Sequence, residues 1–340
     1  MQEFVNKVWY PNKNTPLAYK VFKRLLLPLS LLFWLVSGVR RVLFKCGIKQ
    51  TFALPVPVII VGNITVGGSG KTPMVIFLIE LMRKHGLKPG VISRGYGVEF
   101  EGVKSVERHM SAAEVGDEPA MIVARTAVPM VIGADRVKAA KALIHSGQVD
   151  VIISDDGLQH YRLERDIELL ILDGERRFGN EMLLPSGPLR EGVWRAKHVD
   201  FTIVNGKAHD GEFQMSLQPQ AIQPVSASGN GTFVPCPVVA VAGIGNPQRF
   251  FNTLHEQGHT LTKCHEFEDH QKFTLELLTQ VAGEQTILMT EKDAVKCRDF
   301  AKDNWWYLAV DAKLPTKFEV NLMDKLHRVI VEKEGKSDGV

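Results

Sequence analysis

Cysteine is scarce in these 340 residues: Cys46, Cys236, Cys264 and Cys297 are scattered and form no CxxC pair. Neither a zinc site nor a disulfide framework is indicated by that spacing, and the usage suits a reducing cytoplasm. Charge of one sign is lacking as well, because 41 Lys and Arg stand against 38 Asp and Glu. The resulting net +3 is too small to argue for nucleic acid, and no nucleic-acid partner is expected. There is no low-complexity tract. The apolar run "LLLPLSLLFWLVSGV", between Arg24 and Arg40, has only fifteen uncharged residues, short of the about 20 that a spanning helix needs. A long charged leader and the lack of an A-x-A-like site argue against a secretory signal.

What that run does have is amphipathic order. Lys20, Lys23 and Arg24 flank it on one side and Arg40, Arg41 and Lys45 on the other. On a helix, Lys23, Ser30, Ser37 and Arg41 share one stripe while Leu, Phe and Trp fill the rest, the pattern of a helix lying in the bilayer interface. A full span and a buried or oligomer-forming helix are the alternatives.

The chemistry is most open at "GNITVGGSGKTPM", residues 62–74. The β-branched run Val56–Val61 before it predicts a buried parallel strand, and the apolar spacing of "MVIFLIELMRKHG" after it predicts a helix. Between them Gly67, Gly68 and Gly70 let backbone N–H groups converge on phosphate oxygens, aided by the positive end of the helix dipole. Lys71 is expected on the β- and γ-phosphates of ATP and Thr72 on Mg²⁺. Thr65, Val66 and Ser69 complete the loop, with Thr65 standing where the usual motif has its first glycine. A plain glycine turn explains neither Lys71 nor Thr72.

Further apolar runs at 90–95, 128–133, 149–157, 167–174 and 199–206 alternate with helical patterns, so the fold class is α/β: a phosphate-loop parallel sheet with helices on both faces. Residues 207–235 turn polar and rich in Gln, Ser, Gly and Pro, which reads as a linker with extended strands. A second, smaller α/β lobe starts at "CPVVAVAGIGNP"; apart from that echo there is no internal repeat. The expected division is 1–50 membrane-associating region, 51–206 phosphate-loop core, 207–235 linker, 236–332 second lobe and 333–340 tail. "GIGNP" has no Lys-Thr pair, so packing explains it better than phosphate binding.

Several residues fit phosphoryl transfer. Asp155 and Asp156 end an apolar strand, where a carboxylate serves Mg²⁺; alternation lets only one face the phosphates unless the strand has already turned. A helix-capping role is the alternative. Asp117, in "VGDEP", is a candidate to receive the acceptor's proton, against a plain helix-start role. His265, Asp269 and His270, in "HEFEDHQKF", come from the second lobe, from which a histidine can orient that aspartate. In the Pro/Gly-rich stretch 178–192, Arg190 can neutralise charge in the transition state and Glu191 can share the metal. Arg94, in "SRGYG", suits an anionic substrate group. Both arginines could instead form surface ion pairs.

In their order and spacing, "VGNITVGGSGKTP", "SRGYG", "VGDEP", "DDGLQH", "LLPSGPLRE", "DHQKF" and "TEKDAVK" resemble the tetraacyldisaccharide 4'-kinase family over nearly the whole chain. The resemblance implies transfer of the γ-phosphate of ATP to the 4'-hydroxyl of an acylated disaccharide 1-phosphate, at the cytoplasmic face of a bacterial inner membrane. It further implies Asp117 as base with His270 as partner, Lys71 and Thr72 on phosphates and Mg²⁺, Asp155, Asp156 and Glu191 near the metal, and Arg190 on phosphate. Leu158 and Ser186 depart from the commoner aromatic and alanine without touching the chemistry. A monomer is expected. The alternative is a partitioning or positioning ATPase without a lipid acceptor, which typically has a lysine where this chain has Val66.

Overall fold

The computed structural model describes residues 2–11, 15–147, 149–226 and 231–337. Parts of the expected linker (227–230) and tail (338–340) therefore lie outside the described residues, as do 1 and 12–14 of the N-terminal region. Three helices open the chain: α1 (Gln2–Trp9), α2 (Leu17–Leu25) and α3 (Leu27–Lys45). Pro28 falls in the first turn of α3, where its missing N–H costs nothing, and Leu26 separates α2 from α3.

Then come β1 (Val58–Gly62), α4 (Lys71–Lys84), β2 (Pro89–Ser93), β3 (Val103–Ser105), α5 (Ala112–Val115) and α6 (Asp117–Thr126). They are followed by β4 (Met130–Gly133), α7 (Arg136–His145), β5 (Val151–Asp155), β6 (Ile167–Asp173), β7 (Phe201–Asn205) and β8 (Phe213–Pro224). The remainder is β9 (Val238–Ala242), α8 (Pro247–Glu256), β10 (Leu261–Glu266), α9 (Leu275–Ala282), β11 (Thr286–Thr290), α10 (Glu291–Ala294), β12 (Trp305–Lys313) and α11 (Thr316–Ser337).

The strands form one mixed sheet in the order β10-β9-β11-β12-β8-β7-β6-β1-β5-β2-β4-β3. All pairs are parallel except β3 with β4 and β8 with β12. β8 is the seam: residues 213–215 pair with β7, and the stretch from Ser216 to Pro224 pairs with β12. Strands β1, β2, β5 and β6 are buried along their whole length, as their continuous apolar runs require when helices cover both faces. Val61, Val75, Ile79, Ile122 and Phe318 are among the core residues on one face; Ile60, Ile92, Leu143 and Leu170 are among those on the other. Because the strands are parallel, the carboxyl ends of β1, β2 and β5 deliver the phosphate loop, Arg94 and Asp156 to the same edge.

Candidate active site

One cavity of about 1560 Å³ runs from the phosphate loop to the N-terminal helices and to residues of the stretch 244–310. Gly70 caps α4 with φ +93°, and a Cβ there would stand 2.9 Å from Asn205 Nδ2, so both conformation and space call for glycine. Asn63, a residue given no role by the sequence, organises the loop: its Nδ2 donates to Gly67 O (3.2 Å) and its Oδ1 accepts from Lys71 Nζ at 3.4 Å. Thr72 is buried in the first turn of α4 and Ser69 beside it in the loop.

The two aspartates after β5 divide. Asp156 adopts φ +47°, which breaks the alternation of the strand. Its carboxylate lies 3.4 Å from Lys71 Nζ and accepts from Arg190 at 2.9 Å. Burial pushes its pKa up, but Lys71 and Arg190 outweigh that and hold it at about 2. Asp155 takes one hydrogen bond, from Ser93 Oγ at 3.2 Å, while its buried Oδ1 has no partner among the described residues. Burial first, then the Glu118 carboxylate, raises its pKa.

Arg190 and Glu191 are held by the stretch 178–192, which runs beside the phosphate loop. Arg190 N donates to Ile64 O (2.7 Å) and Val66 N donates to Pro188 O (2.9 Å). This engages the N–H of Val66 and takes it out of the phosphate-binding donors, while Thr65 bridges to Leu189. Glu191 is 2% exposed; Gln159 Nε2 donates to one oxygen (3.0 Å), and Tyr161 OH (2.8 Å) and Arg195 Nε (3.2 Å) meet the other. Burial raises the Tyr161 phenol above its usual range, so it remains a donor at neutral pH.

The start of α6 and residues of the stretch 268–292 supply the other wall. Asp117 begins α6 and is buried, so the helix-start reading is right about its location but misses its contacts. His270 Nδ1 lies 3.0 Å from its Oδ2 and 3.1 Å from its Oδ1. Burial raises the Asp117 pKa, but the bond to His270 and the charges of Lys292 and Lys296 bring it to about 2. The same bond raises that of His270. Lys292, whose "TEKDAVK" segment had no assigned role, contacts Glu118 (3.2 Å) and Asp269 (3.1 Å). His265 is not among the residues lining the cavity, whereas Asp269 is. Gly245 of "GIGNP" packs against the phosphate loop, with its Cβ position 2.6 Å from Gly68 N. Arg94 is exposed on the cavity lining.

Among the described residues no three His, Cys, Asp or Glu side chains converge to hold a metal by themselves. An unpartnered, buried Asp155 oxygen on the same cavity as Thr72 nevertheless fits Mg²⁺, which keeps few protein ligands and takes its other oxygens from water and phosphates.

Known proteins match this chain over nearly its whole length. The family model described as tetraacyldisaccharide-1-P 4'-kinase matches residues 22–327. A tetraacyldisaccharide 4'-kinase of Shewanella woodyi is 65% identical, with 100% of each chain covered. Another, of Shewanella halifaxensis, is 60% identical over 98% of this chain and 100% of its own. The crystal structure of an "apo" form of LpxK from Aquifex aeolicus in complex with ATP superposes with a TM-score of 0.77 at 28% identity, covering 91% of this chain and 99% of that one.

Proposed function

The chain belongs to the tetraacyldisaccharide-1-phosphate 4'-kinase family, and from that premise we propose how its cleft works. The protein is an ATP-dependent kinase that phosphorylates the 4'-hydroxyl of the tetraacyldisaccharide 1-phosphate in lipid A biosynthesis. Gly67, Gly68, Ser69 and Gly70 offer backbone donors to the triphosphate, and Lys71 supplies charge at the β- and γ-phosphates. Asp117 receives the proton of the acceptor hydroxyl, with His270 orienting its carboxylate. Arg190, beside Asp156 and Lys71, neutralises charge that grows on the transferring phosphoryl group. Thr72 and Asp155 would hold Mg²⁺, with Asp156 and Glu191 close by; when bound, the ion supplies charge neutralisation on the phosphates. Arg94 contacts an anionic group of the acceptor.

The 207–235 stretch contains β8, which supports a two-lobed division into 51–206 and 236–332. α3 is the single helix among the described residues that is long and apolar enough to cross a membrane. Yet it is tied to the protein body near both ends: Ser30 donates to Leu183 O at 3.0 Å, and the Phe44 ring lies 6.0 Å from that of Tyr161. This favours a helix lying along the cytoplasmic face of the inner membrane, where a monomer meets its lipid acceptor on a surface rather than in a volume.

The carrying observation is the Asp117–His270 pair, 3.0 Å apart on the same cavity as Lys71. A partitioning-type switch has no use for such a pair. Purified protein incubated with γ-labelled ATP, Mg²⁺ and the acylated disaccharide 1-phosphate should place label on the lipid. Label recovered only as free phosphate overturns the assignment.

A further inference from the structure

Two contacts connect the membrane-associating helix to the inner end of the cleft. The ring of Phe44, in the last turn of α3, lies 6.0 Å from the Tyr161 ring, and the Tyr161 hydroxyl donates to Glu191 at 2.8 Å. One turn earlier, the Arg41 guanidinium stacks 4.8 Å over Trp194, in the short 3₁₀ turn Val193–His198 that also carries Arg195. Arg195 Nε in turn meets the same Glu191 oxygen at 3.2 Å.

We propose that Tyr161 is a positioning residue for Glu191, and that the last turns of α3 hold Tyr161 and Arg195 in place, so that the membrane helix tunes the metal affinity of the cleft. The inference rests on the proposed reading that Glu191 stands near Mg²⁺. Two donors on one oxygen stop the carboxylate from rotating, and they leave the other oxygen, which Gln159 meets at 3.0 Å, turned toward the phosphate-loop side through the Gln159 bond to Asn63 O at 3.2 Å. Without the phenol, the outer oxygen keeps only Arg195 Nε, since the other guanidinium nitrogens are engaged by Glu168 and His198 O, and the carboxylate is free to turn about that single contact. Outer partners of this kind are worth about 10- to 100-fold in metal affinity.

The test is Mn²⁺ affinity, read by electron paramagnetic resonance on detergent-solubilised full-length protein saturated with a non-hydrolysable ATP analogue. Tyr161→Phe keeps the ring against Phe44 and removes only the hydroxyl; it should weaken Mn²⁺ binding about tenfold. Affinity for the metal-free nucleotide should stay as in the wild type, a split that general loosening of the fold does not produce. Phe44→Ala should weaken Mn²⁺ binding in the same direction. Wild-type affinity in Tyr161→Phe, with weakened affinity in Glu191→Gln, overturns the positioning role alone. Wild-type affinity in both overturns the placement of Glu191 near the metal as well. Weakened affinity in Tyr161→Phe with none in Phe44→Ala overturns the coupling to the helix.

Discussion

Asp155 and Asp117 are both buried carboxylates on one cavity, and their surroundings push them in opposite directions. Asp155 has a hydroxyl and an acidic neighbour, so burial dominates and its pKa rises. Asp117 is equally short of water but faces His270, Lys292 and Lys296, and its pKa falls to about 2. On the proposed reading of Asp117 as the base, its carboxylate is ionised at neutral pH, and its proton affinity depends on the bond to His270. Asp117→Ala should lower turnover by about 10²–10⁴ with ATP binding little changed. His270→Ala should cost less, and it should shift the acid limb of the kcat/KM profile upward, because the strongest influence lowering the Asp117 pKa is gone. The sign on stability is the reverse for the histidine. Its raised pKa means its contribution is complete below the unfolded value and fades as pH rises through the folded one. The Tm difference between wild type and His270→Ala should therefore be larger at acidic than at alkaline pH.

At the scale of elements, α3 has two faces with different tasks. The Ser30 hydroxyl donates to Leu183 O and accepts from Ser186 N, each at 3.0 Å, so this part of the polar stripe meets the 178–192 loop rather than lipid headgroups. Leu31, Leu32, Leu35 and Val39 on the other face are at least half exposed. Leu35→Glu should lower binding to anionic vesicles by roughly tenfold or more, since one leucine is worth about 1.5–3 kcal/mol on burial. Ser30→Val should leave vesicle binding near wild type and lower stability by about 1–3 kcal/mol by stranding Ser186 N, while Leu183 O keeps its bond from Gly187 N. Co-flotation and chemical unfolding measure the two effects. Equal behaviour of the two variants contradicts the division.

Over the whole molecule, the stretches before and after β8 are joined by more than that strand. Arg125 of α6 bridges to Glu291 (2.9 Å), to Val310 O (3.0 Å) and to Asp311. Glu291 is largely buried, so Arg125→Met removes its direct partner and leaves only the charge of Arg298 to offset it. The expected loss is about 3 kcal/mol, the lower end for a buried pair because Asp311 remains 45% exposed at its side chain. A shift of the urea midpoint measures it. Lys292 with Glu118 and Asp269 reinforces the same contact next to Asp117, so the Asp117–His270 pair is assembled where α6 meets the segments around His270 and Lys292.

Local rules made much of this protein legible in one dimension. Apolar runs bounded by glycine become buried parallel strands because both faces are covered, and Gly67, Gly70, Lys71 and Thr72 declare a phosphate loop because few other uses need that spacing. Asp117 was visible as an acid at a helix start, and nothing local distinguished it from an ordinary one. Its partner lies 153 positions away, and the bond between them exists because α6 and the loop after β10 meet on one cavity. The structure likewise decided that Asp156 rather than Asp155 faces Lys71, since a positive φ cancels strand alternation, and that Ser30 serves a loop instead of a membrane surface. Periodicity and motif spacing are properties of neighbours in the chain; pKa values, unpaired oxygens and paired faces belong to neighbours in space, and only folding chooses those.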